Sequence, residues 1–217
     1  MTKAQAGILA PLPEQGRYVF FTLAGSGAAL TSALSKLQAT AVDGKVVVGI
    51  GLQVLQKMGK QLSLMREFPH LKGAMFEAPS TPYALCLWLR SDQRGELLAI
   101  TAKLASMLAP AFKIDHAVDT FLHERTASGH GRDLTGYEDG TENPEADAAV
   151  AASITAGQGE GVDGSSFWAL QQWMHDYAAF GRMSVNEQDN TVGRRCSDNE
   201  ELEDAPESAH VKRTAQE

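Results

Sequence analysis

Four runs of β-branched and aromatic residues, three of them followed by a helical pattern, confine this chain to a small set of folds. Residues 17–23 (RYVFFTL) predict a strand that Gly25-Ser26-Gly27 breaks. Residues 28–37 then carry Leu30, Leu34 and Leu37 at helical spacing, with Ser26 or Thr31 near the start as caps. A second strand is expected over 45–50 (KVVVGI) and a short helix over 53–58, ended by Gly59. Residues 59–80 have no clear period. Beyond them, 83–90 (YALCLWLR) predict a strand, 93–108 a helix stopped by Pro110, and 112–123 a strand that alternates loosely. The order β-α-β-(α)-β-α-β is that of a ferredoxin-like α+β unit, an antiparallel sheet with helices on one face, here with one swollen connection.

The apolar pattern gives way over 124–131, where Ser, Gly and His take over, so residues 1–124 are expected to form a first unit and 125–217 a second. A length of 217 residues suits two such units, since domains commonly run to about 100–150 residues. In the second unit, 144–164 is a stretch of small and acidic residues, and 166–174 predict a strand. Residues 176–180 and 184–192 predict helices. Ser184 with Glu187 three residues later has the capping-box pattern, and an acidic loop over 198–207 leads to His210. One strand makes no sheet, and repeating the first unit would take roughly 80 further residues, so the second unit is expected to be incomplete.

Residues 136–144 (GYEDGTENP) pack three carboxylates, two glycines and Asn-Pro into a segment that cannot be a helix interior. It is therefore a loop, whose glycines allow a tight turn or close approach to a bulky ligand while Asp139 is presented on a short stem. Such a display suits a catalytic acid. An acidic surface turn has the same composition.

Composition excludes several function classes. A net charge of -8 without any Lys/Arg cluster argues against a nucleic-acid partner. Cys86 and Cys196 form no CxxC pair and are expected to be free thiols in a reducing, cytoplasmic setting. Residues 1–13 hold one Lys and no apolar core long enough for a signal peptide, and no 18-residue apolar run occurs, so no membrane association is expected.

The run over 136–144 resembles the GxxDG signature of the dye-decolourising (DyP-type) haem peroxidases. Downstream, 208–213 (SAHVKR) resembles the segment carrying that family's proximal haem histidine, while 166–176, 183–188 and 192–194 are similar to its strand and helix. The likeness covers about residues 120 to 217. It implies two ferredoxin-like α+β units, with haem b (iron protoporphyrin IX) in the second, incomplete one. His210 is then the iron ligand, its imidazole tuned by a neighbouring hydrogen bond. Asp139 becomes the distal acid/base that moves a proton from the inner to the outer oxygen of peroxide. Gly140, Thr141, Glu142 and Asn143 would contact the haem edge or hold the loop, and Arg194, with Arg195 as a second candidate, would pair with a haem propionate. Trp168, Trp173, Tyr137 and Tyr177 would relay electrons or simply pack in the core. The implied activity is oxidation of dyes and small aromatic donors by hydrogen peroxide in one-electron steps, by a cytoplasmic homo-oligomer. The resemblance also implies a distal-side Arg, a role that no residue here takes. A haem carrier or sensor without turnover is the alternative.

Other motifs fail. After Gly25-Ser26-Gly27 the third glycine of a dinucleotide fingerprint is replaced by Leu30. Aligned as an EF-hand on Gly140, the acidic loop puts Thr135, Tyr137 and Ala146 at ligand positions. His116, His123 and His130 are seven apart, a spacing that does not converge on one metal along a strand and loop. No GxSxG nucleophile occurs.

Overall fold

The computed structural model describes residues 4–40, 43–73, 76–127 and 129–214. Strand β1 (Gln15–Leu23) leads into helix α1 (Gly27–Thr40), β2 (Val46–Ile50) and α2 (Leu52–Lys57). The small hairpin β3 (Leu71–Lys72) and β4 (Glu77–Ala78) fills the stretch without a clear period. Then come β5 (Leu85–Ser91), α3 (Arg94–Leu108) and β6 (Phe112–Phe121). The four long strands pair antiparallel in the order β2-β5-β1-β6, the ferredoxin-like arrangement the sequence predicts. The chain is thus α+β.

Alternation along the strands sends Val19 and Phe21, Leu85, Leu87 and Leu89, and Phe112 to one face. Leu30, Ala33 and Leu37 of α1 and Leu97, Leu104 and Leu108 of α3 cover that face, and all of these side chains are buried. Gly25 lets the turn before α1 press on the end of α3. Its N–H donates to the Ala111 carbonyl at 3.1 Å, and a Cβ there would lie 2.4 Å from the Pro110 carbonyl oxygen. Close backbone packing thus accounts for this glycine. Thr31 does not cap α1; its hydroxyl donates back to the Gly27 carbonyl within the helix.

On the opposite face Tyr18 stacks on Trp88, with centroids 5.9 Å apart, and meets Trp168 at 5.8 Å. The Arg90 guanidinium covers Trp88. Trp168 also occupies the space above Gly49, where a Cβ would come within 2.8 Å of the indole. This corrects the strand expected over 166–174: no strand forms there among the described residues. Its aromatic residues gave it β character, but no described strand lies alongside to accept its hydrogen bonds, and Trp168 is spent on packing against Tyr18 and Gly49.

The described residues fall into two compact units, one running to Phe121 and including Pro144–Ala169, the other comprising Leu122–Asn143 and the residues from Leu170 on. The first contains α4 (Ala146–Ser153). In the second, β7 (Glu124–Arg125), β8 (Gly131–Arg132) and β9 (Glu138–Asp139) form a small antiparallel sheet in chain order. Helices α5 (Tyr177–Phe180), α6 (Val185–Val192) and α7 (His210–Thr214) follow. The predicted capping box is formed: the Ser184 hydroxyl accepts from the Glu187 N–H, and the Glu187 carboxylate accepts from the Ser184 N–H at 2.7 Å. Among the described residues no helix is long and apolar enough to cross a membrane.

Cys86 sits on β5, and burial pushes its thiol up to about 12. Its thiolate fraction at pH 8 is then about 10³-fold below that of an ordinary thiol. Iodoacetamide labelling at pH 8, read by peptide mass mapping, is expected to spare Cys86 in the folded protein and modify it in urea. Rapid labelling of the folded form would contradict this environment.

Candidate functional site

The β8–β9 hairpin presents the acidic segment. Its turn closes where the Asp133 N–H donates to the Tyr137 carbonyl and the Asp133 carbonyl accepts from the Gly136 N–H, both at 3.0 Å, with Gly136 at φ 92°. Tyr137 is the anchor. Its ring is 4% exposed, meets Phe180 edge-on, and its hydroxyl donates to the Asp189 carboxylate at 2.5 Å. Burial, and then that carboxylate, push the Tyr137 phenol above its usual range. Tyr137 is therefore a core residue holding the hairpin to α6. The same Asp189 oxygen accepts from the Cys196 N–H at 3.0 Å.

Neighbouring residues on a strand face opposite ways, and β9 uses this to separate two carboxylates. Glu138 points inward, 12% exposed, with Arg132 at 3.4 Å and His130 at 3.7 Å. Asp139 points out and is exposed; among the described residues no side chain or N–H holds its carboxylate. Gly140 then turns at φ 81°, with the Asn143 amide folded against it where a Cβ would stand 2.8 Å away. Thr141 and Glu142 are tied down from a distance. The Asn199 amide donates to the Thr141 hydroxyl at 2.9 Å, and Arg194 pairs with Glu142 at 2.6 Å.

Arg194 begins a short chain of charges that ends on α7. Its guanidinium, 14% exposed, also lies 3.6 Å from Glu201, and Glu201 is 3.5 Å from Lys212. Beneath this chain α6 ends at Gly193, at φ 93°, and α7 rests on that glycine. A Cβ on Gly193 would lie 2.3 Å from the Val211 side chain and 3.2 Å from the Ala209 methyl, the residues flanking His210. Ala209 is fully buried, whereas the His210 imidazole is exposed and makes no hydrogen bond among the described residues. Gly193→Ala is expected to destabilise this unit by about 1–3 kcal/mol from backbone strain, before the clash is added. A urea titration followed by circular dichroism measures it, and an unchanged midpoint would contradict the packing described.

A polar cavity of about 470 Å³ lies beside the loop, lined among others by His130, Arg132, Glu138, Thr141, Asp198 and Asn199. Neither Asp139 nor His210 lines it. The structure therefore joins Glu142 to Arg194 and Thr141 to Asn199, and leaves the Asp139 carboxylate and the His210 imidazole exposed. Arg195 pairs with Asp198 at 3.0 Å instead of reaching the loop. Of the aromatic candidates in this unit, Trp173 is 56% and Tyr177 46% exposed. Asn199, Tyr137 as an anchor, and Asp189 were not foreseeable as parts of the site, because their contacts join residues more than 50 positions apart.

Asp139 and His210 both lie in the part of the chain that matches a known family. The family described as Dyp-type peroxidase, C-terminal, matches residues 130–217, which contain both groups. The chain is similar to the dye-decolourising peroxidases. It is 28% identical to a dye-decolorizing peroxidase of Mycobacterium tuberculosis over 218 residues, 94% of this chain and 64% of that protein. The chain thus spans less than two thirds of that relative's length. A Dyp-type peroxidase protein from Shewanella oneidensis superposes with a TM-score of 0.86 at 21% identity, covering 98% of this chain and 72% of that one. A DypB variant from Rhodococcus jostii RHA1, solved in complex with heme, superposes with a TM-score of 0.79 at 23% identity, covering 96% and 71%.

Proposed function

We propose that this chain forms the haem-binding part of a peroxidase that uses hydrogen peroxide to oxidise dyes and small aromatic donors by one-electron steps. One observation carries this. Around the acidic loop Glu138, Glu142, Asp189, Arg194 and Asn199 are all engaged with partners, while Asp139 and His210, which the family pattern singles out, stand exposed and unpartnered.

The donor set fits haem. Among the described residues no group of three or more His, Cys, Asp or Glu side chains is placed to hold a bare metal ion. Haem iron takes a histidine side chain as protein ligand, and the unpartnered His210 imidazole would be free to serve as one. Bound haem would supply the iron at which peroxide is reduced and the oxidising equivalents that donors return one electron at a time. His210 would hold the iron. Asp139 would accept the proton from the inner peroxide oxygen and deliver it to the outer one. Gly140, Thr141, Glu142 and Asn143 would border the haem edge. Arg194 would reach a propionate by exchanging partners with Glu142. The Glu142 carboxylate is 82% exposed, so water can take over its hydration once Arg194 leaves it. A cytoplasmic setting accords with Cys86 and Cys196 both being free thiols.

The test is peroxide-dependent oxidation of a reporter dye by the chain after haem reconstitution. Turnover that requires both haem and peroxide supports the proposal. Haem binding without turnover would point instead to a carrier or sensor.

A further inference from the structure

Asn199 is held at several points beside the acidic loop, and no sequence motif marks it. Its backbone is left-handed at φ 61°, a conformation asparagine tolerates better than other side chains. The main chain is fixed on both sides: its N–H donates to the Arg195 carbonyl at 2.9 Å, and its carbonyl accepts from the Arg194 guanidinium at 3.0 Å. From this mount the Nδ2 atom reaches two acceptors, the Thr141 hydroxyl at 2.9 Å and the Glu138 carboxylate at 3.4 Å. An amide nitrogen carries two hydrogens, so it can donate to both. Glu138 and Thr141 are the residues on either side of Asp139-Gly140.

We propose that Asn199 is a positioning residue that spans the acidic loop and fixes the direction in which Asp139 is presented. The Asp139 carboxylate has no partner of its own to orient it, so its direction is set by its backbone, which pairs with Gly131 in the β8–β9 hairpin, and by its neighbours. On the side of Glu138 the loop is held by the two-residue strand β9, and Gly140 on the other side adds no stiffness. The two hydrogen bonds from Asn199 close the hinge that Gly140 would otherwise leave open. Arg194 strengthens the mount, because its guanidinium donates to the Asn199 carbonyl. The chemical consequence rests on the acid/base role proposed above for Asp139: a proton carrier must sit within hydrogen-bond reach of both peroxide oxygens, and a loose loop spends little time there.

Asn199→Gly provides a clean test, since glycine keeps the left-handed backbone while removing the amide. Hydrogen exchange of the haem-free chain, followed by mass spectrometry, reads the loop directly. Peptides covering 138–143 are expected to exchange about tenfold faster or more, with α6 unchanged. Unchanged loop protection, or equal acceleration throughout the unit, would overturn the proposal. In the haem-loaded chain the same variant is expected to slow the reaction with peroxide about tenfold while the KM for the donor dye stays put. A loosened loop with an unaltered peroxide rate would overturn the positioning role, provided Asp139→Ala slows that rate. If Asp139→Ala also reacts at the normal rate, the acid/base assignment fails instead, and the exchange result alone decides whether Asn199 holds the loop. Asn199→Asp is a second variant. It preserves shape but sets a carboxylate against Glu138, and its loop is expected to exchange at least as fast as that of the glycine variant. Wild-type loop protection in Asn199→Asp would overturn the hydrogen-bonding scheme.

Discussion

Asp139→Asn is expected to slow the reaction of the haem-loaded chain with hydrogen peroxide by about 10²- to 10⁴-fold, the usual worth of a positioned acid/base group. The amide keeps the size and polarity of the carboxylate but cannot accept the proton that must leave the inner peroxide oxygen. Loss of structure would not explain such a result. Asp139 is exposed and holds no partner among the described residues, so its replacement is expected to alter stability by no more than about 0.5 kcal/mol. The second-order rate constant from stopped-flow absorbance, set beside the thermal midpoint of the same sample, separates the two effects. A variant reacting within threefold of wild type would remove Asp139 from the mechanism.

His210→Ala is expected to weaken haem binding by at least about 100-fold, more than is lost when only a supporting contact of a metal ligand is removed. The imidazole projects from the first turn of α7, and its neighbours do the structural work: Ala209 is buried and Val211 packs on Gly193. Removing an exposed ring should leave that docking intact. Haem titration followed by absorbance measures the loss, and added imidazole should restore part of the ligated spectrum, which would not happen in a misfolded unit. Unchanged affinity would mean that the iron is held elsewhere.

What the sequence disclosed depended on how far apart the interacting residues lie. The capping box at Ser184 was readable because its partners are three residues apart, and the sheet of the first unit because each strand carries its own alternation. The segment over 166–174 has the composition of a strand, but a strand exists only beside another, and Trp168 found Tyr18 instead. The acidic loop announced itself through its glycines and Asn-Pro. Its supports did not. Asp189 is 52 residues from Tyr137, and Asn199 is 58 from Thr141 and 61 from Glu138, so these bonds arise only once the chain has folded. Arg194 shows the same limit: a basic residue after a helix suggests an anion partner, but not that Glu142 and Glu201 compete for it.

The central claim is that Asp139 and His210 serve one haem and one peroxide. The visible absorbance spectrum of this chain with one equivalent of haem, recorded before and after one equivalent of hydrogen peroxide, tests it most directly. The account predicts a sharp Soret band that is lost in His210→Ala, and that peroxide shifts rapidly in wild type but slowly in Asp139→Asn. A broad band like that of free haem, indifferent to either substitution, would contradict it.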